Sequence, residues 1–79
     1  MASFVSNQIA DRAYTVTKSD TAANIYSYLY VGGAGDVAVV TEGGDSVTFV
    51  GVQAGQYLWV RTSKVMSTNT TATSILGFV

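Results

Sequence analysis

The chain has 79 residues, 48% hydrophobic and 11% charged, with net charge −1 and neither cysteine nor histidine. That length allows one small domain; the composition excludes disulfides and removes the usual zinc and copper ligands, so subunit contacts are the expected support. The basic residues Arg12, Lys18, Arg61 and Lys64 are scattered, which argues against a nucleic-acid partner, and no apolar run approaches the roughly 20 residues of a membrane span.

Residues 1–13 show neither a period of 2 nor one of 3.6 and read as an N-terminal arm, anchored by Phe4, Val5 and Ile9, with a frayed end as the plainer alternative. The segment has no basic region and no apolar run of signal-peptide length, so the protein is expected to stay where it is made. From residue 14 to 79 the chain reads as a single β domain. YTVT (14–17) is a short strand, KSDTAAN a loop, IYSYLYV (25–31) a strand, and DVAVVT (36–41) a third after Gly32-Gly33-Ala34-Gly35. DSVTFV (45–50) alternates, with Val47 and Phe49 on one face and Ser46 and Thr48 on the other. QYLWVRTSKVM (56–66) is long enough for one bent strand or two, STNTTA is a turn, and TSILGFV (73–79) is the last strand. About six strands with Gly-rich turns predict an all-β fold, a small antiparallel sandwich or barrel.

IYSYLYV is apolar on both faces. In a strand, Tyr26, Tyr28 and Tyr30 would line one side, with Ile25, Leu29 and Val31 on the other. A half-solvated strand alternates with polar residues, so something must cover the second face. Tyr57 and Trp59 repeat the spacing. Burying both faces of several strands inside one 79-residue subunit is geometrically hard, which favours Tyr26, Tyr28, Tyr30, Tyr57 and Trp59 as subunit-interface residues; single-domain core and a sugar-stacking site are the alternatives.

Chemistry finds little purchase. VGGAGD resembles the start of a dinucleotide fingerprint, but the strand-like DVAVVT replaces the helix that such a loop needs, and the glycines read as hairpin residues. Asp36, Glu42 and Asp45 flank two successive turns, yet their spacing matches no calcium loop, and acidic residues are favoured in turns anyway. Without histidine, a serine nucleophile would depend on Lys18 or Lys64, neither in a recognisable motif. No cofactor is expected. Asn69-Thr70-Thr71 matches the glycosylation sequon, a triplet common by chance in a Thr-rich turn. A non-enzymatic structural role follows by elimination.

One pattern runs through residues 28–79: Val31-Gly32 with Gly35-Asp36, Thr41 through Phe49, Ala54-Gly55, Val60-Arg61, and Thr68 through Thr73. In order and spacing it resembles small structural proteins of tailed phages and gene transfer agents, of the spike-base or head-decoration type. Leu58-Trp59 stands where that pattern often has a proline. The resemblance implies a virion protein, assembled in the host cytoplasm, that decorates or cements the capsid surface or forms a vertex spike base. Its implied partners are copies of itself, as a trimer or pentamer, and the major capsid protein or a spike or fibre protein. A tail or tail-fibre adaptor and a carbohydrate-binding module are the competing readings.

Overall fold

A computed structural model describes residues 11–79. Among these residues seven strands form: β1 (Ala13–Thr15), β2 (Tyr28–Gly33), β3 (Gly35–Thr41), β4 (Ser46–Val52), β5 (Gln56–Leu58), β6 (Thr62–Val65) and β7 (Thr73–Phe78). They pair antiparallel into two sheets, one of order β1-β7-β2-β5 and one of order β4-β3-β6. The fold is therefore all-β, a two-sheet sandwich. The long run from Gln56 to Met66 is two strands in different sheets, and Trp59, Val60 and Arg61 carry the chain across. Of the arm expected over residues 1–13, residues 1–10 lie outside the described residues. Beyond them, the amides of Asp11 and Arg12 donate to the Val79 carbonyl at 3.1 and 3.3 Å, and Ala13 opens β1.

The core lies between the sheets. Leu29, Val31, Leu58 and Ile75 of the first sheet meet Val37, Val39, Val52 and Val65 of the second, all buried. Each such side chain contributes about 1.5–3 kcal/mol on burial. Period-2 alternation puts these residues inward except Val52, which the bulge at Val50 and Gly51 returns to the inner face, and β-branched side chains suit the pleated surface. Val47 and Phe49 share the inward face of β4 with their partners Val39 and Val37, as their spacing predicts.

Two expectations give way. The strand expected from Ile25 begins only at Tyr28, because the chain changes sheets at Ser27. The Thr62 amide donates to the Tyr26 carbonyl at 2.9 Å, bridging Tyr26 to β6, whereas the Ser27 amide donates to Phe78 of β7 at 2.7 Å. The glycines of VGGAG do not make a tight hairpin either, since β2 and β3 belong to different sheets. They allow close approach instead. A Cβ at Gly35 would meet the Ala72 amide nitrogen at 2.6 Å and Thr71 Oγ1 at 2.7 Å, and one at Gly32 would meet the Ser74 carbonyl at 2.8 Å.

Side-chain hydrogen bonds pin the connecting segments to the sheets. Thr62 Oγ1, fully buried, donates to the Asn24 carbonyl at 2.7 Å, and the Ala38 amide donates to Thr70 Oγ1 at 2.9 Å. Asp20 clamps the turn before β7. Its carboxylate accepts from Thr68 Oγ1 at 2.6 Å and from the amides of Thr68 and Ser67 at 2.9 and 2.8 Å. These bonds, the Thr68 hydroxyl first, hold its carboxyl below the ordinary carboxylate value. A lowered folded-state pKa adds stability above the unfolded-state value, near 4, and that stability is lost as pH falls through the lowered one. Asp20→Ala is thus expected to lower the melting temperature at neutral pH, and the gap to wild type should close as melting is followed below about pH 4. A gap unchanged down to pH 2 would show that the ionised carboxylate contributes nothing.

Candidate functional site

The outer face of the first sheet carries the aromatic residues. Cross-strand partners share a face, so the register Tyr28↔Phe78, Tyr30↔Leu76 and Tyr30↔Tyr57 places these side chains together, opposite Leu29, Val31, Leu58 and Ile75. Trp59 follows β5 and joins them. Tyr28 stacks on Phe78 with centroids 4.8 Å apart and planes 11° from parallel, and Tyr57 stacks on Trp59 at 5.2 Å and 9°. Tyr28 lies 5.0 Å from Trp59, and Tyr30 meets Tyr57 edge-on at 5.1 Å. The five rings form one connected cluster. Such pairs contribute about 0.5–1.5 kcal/mol each beyond area burial, and they hold the rings in place.

Among the described residues nothing covers the cluster. Trp59 is 75% exposed and Tyr57 41%, while Tyr28, Tyr30, Leu76 and Phe78 are half-buried. No charged residue occupies any of these six positions. A rigid, uncharged, contiguous aromatic surface is suited to packing against a flat apolar partner or stacking on a planar one.

Of the five residues singled out in the sequence, four come together here. Tyr26 does not. Gly77 pairs with Leu29 on the inner side of the sheet, and a Cβ on Gly77 would fall within the Tyr26 ring, so that ring lies flat against the inner face over Gly77. It packs against the core, with Tyr14 6.3 Å away. The switch of sheets at Ser27 inverts the alternation that would have grouped Tyr26 with Tyr28. Phe78 and Leu76 complete the surface and were missed, although TSILGFV carries the signal: Leu76 and Phe78 alternate with the inward Ile75 and Gly77.

The acidic residues of the turns are dispersed. Asp36 accepts the Gly51 amide at 2.9 Å, Glu42 pairs with Arg61 at 3.2 Å with both side chains well exposed, and among the described residues no three acidic side chains gather at one point.

No family model matches the chain, and no curated protein does. Among solved structures it is similar to a chain in the capsid of a native GTA (gene transfer agent) particle computed with C5 symmetry. The two share 35% identity over 89% of this chain and 83% of that one, with a TM-score of 0.79.

Proposed function

The chain belongs to the family of that GTA capsid chain, and from this premise we propose that it is a non-enzymatic structural protein of a phage-like particle, located on the head as a decoration, cement or vertex spike-base subunit. The identity to a capsid chain, sustained over most of both sequences, carries the reading. The aromatic face is its means of attachment. Tyr28, Tyr30, Tyr57, Trp59, Leu76 and Phe78 pack against a neighbouring chain, and closed cyclic symmetry is the default for repeated contacts between identical subunits. Of a trimer and a pentamer, the pentamer is the one a five-fold axis accommodates. The further partner is the major capsid protein or a spike or fibre protein seated on the ring.

The reading is tested by epitope-tagging the chain and isolating particles. The tag should co-sediment with intact heads and be labelled on the head by immunogold microscopy. Label confined to the tail would favour a tail adaptor. Failure to co-sediment, together with binding to a glycan array that Tyr57→Ala and Trp59→Ala abolish, would favour a carbohydrate-binding module.

A further inference from the structure

Not all exposed apolar side chains belong to the aromatic face. Val50 is 78% exposed, Tyr14 43% and Val47 40%, and these lie on β4 and β1. Each of those strands ends its sheet and has no strand on its outer side among the described residues. Neither carries proline, and neither carries a lysine within the strand, the common devices that blunt an edge.

The hydrogen-bond phase of each edge is determined. The Thr41 amide donates to Asp45 at 2.8 Å, so by the antiparallel alternation the backbone groups of Val47 and Phe49 turn toward β3 and those of Ser46 and Thr48 point outward, up to the bulge where Val50 and Gly51 both oppose Asp36. Arg12 and Val79 exchange both their bonds, at 3.1 and 3.3 Å, and the Val16 amide donates to Ile75 at 2.9 Å. The groups of Ala13 and Thr15 therefore point away from β7.

We propose that β4 of one copy pairs antiparallel with β1 of a second copy, Thr48 opposite Thr15 and Ser46 opposite Thr17, merging the two sheets across the subunit boundary. This register aligns outward backbone groups with outward backbone groups. It sets Val47 against Val16 and Phe49 against Tyr14 on the inward side, so exposed Val47 and Tyr14 gain partners. It also places exposed Asp45 opposite Lys18, whose ammonium has three donors and makes a long 3.4 Å contact to the Ala72 carbonyl. Asp45 and Lys18 are thus the charged pair that this register brings together, Glu42 being already paired with Arg61 at 3.2 Å. Because the two edges differ, the contact is head-to-tail and closes into a ring when the rotation allows it. The proposal rests on the oligomeric role above and specifies one of its contacts.

Thr48→Pro deletes an amide that the subunit's own ladder does not use, while Thr48→Val keeps it. In full-length protein, Thr48→Pro is expected to retain its strand circular dichroism and to need about tenfold or more protein for half-assembly, whereas Thr48→Val assembles like wild type. Independently, Thr15→Cys chains mixed with Thr48→Cys chains should oxidise to a mixed disulfide, since paired Cα atoms in such a ladder lie about 5.5 Å apart, within disulfide reach; no native thiol competes. Thr48→Pro assembling like wild type would overturn the proposal. So would disulfide dimers of Thr48→Cys alone, which mark β4 pairing with itself, or no mixed disulfide in an intact oligomer. Loss of assembly in Tyr28→Ser with Thr48→Pro unaffected would contradict this contact and leave the aromatic interface standing. A wild-type chain that stays monomeric would contradict both.

Discussion

Gly77→Val should destabilise the protein by about 3 kcal/mol, through overpacking at a site with no space for a Cβ. The added carbon would fall within the Tyr26 ring, among atoms close to the root of that side chain. The ring cannot simply swing aside, because the Tyr26 backbone is held by Thr62 and its ring packs against the core. Gly77 itself is fixed between β1 and β2, opposite Tyr14 and Leu29. A chain of this size has about 4–12 kcal/mol of stability in total, so the change removes a large share. Urea unfolding at constant m-value measures it. Combining Gly77→Val with Tyr26→Ala should recover part of the loss, because the two residues compete for one volume. If the double variant is merely the sum of the singles, the ring is not what the new side chain strikes.

Tyr28→Ser should separate assembly from folding. Tyr28 is the hub of the outer cluster, within 5.0 Å of the ring centroids of Phe78 and Trp59. Inside the subunit its loss forfeits three ring contacts, with Phe78, Trp59 and, at 6.3 Å, Tyr57, about 1.5–4.5 kcal/mol at 0.5–1.5 each. At an interface, a central aromatic anchor contributes 2 kcal/mol or more, so the protein concentration needed for half-assembly should rise about 30-fold or further. The hydroxymethyl side chain suits an exposed strand face, and the folded monomer should persist. Sedimentation velocity over a dilution series, with circular dichroism on the same samples, checks both halves. A variant that assembles like wild type but melts far lower would place Tyr28 in the fold alone.

The strands were legible in the sequence because each sheet faces water on one side or packs a distinct outer layer, so alternation survives in YLYV, VTFV and TSILGF. Partition between sheets was not legible. Gln56 to Met66 reads as one bent strand or two, and only the long-range pairing of Leu58 with Leu29 and of Val65 with Val39 assigns its halves to different sheets. The same limitation displaced Tyr26. Its spacing from Tyr28 is that of a strand neighbour, and the inversion at Ser27 depends on hydrogen bonds to Thr62 and Phe78, 36 and 51 residues away from Tyr26 and Ser27 respectively. The glycines before β3 looked like hairpin residues because close approach and positive φ call for the same residue type. Phe78 was legible and overlooked, since its alternation with Gly77 is as clear as that of Tyr28 with Leu29.

The outer tyrosine face now answers why a strand in so small a domain is apolar on both sides. Its inward residues fill the sandwich, and its outward ones form a rigid aromatic surface, which on the proposed function a neighbouring chain covers. Residue-resolved hydroxyl-radical footprinting of Trp59, the chain's only tryptophan, in purified particles and in the free subunit tests this most directly. Trp59 is 75% exposed in the subunit, so it should oxidise readily when free and be protected several-fold in the particle, in step with Tyr57. Equal oxidation of Trp59 in the two states would contradict the account.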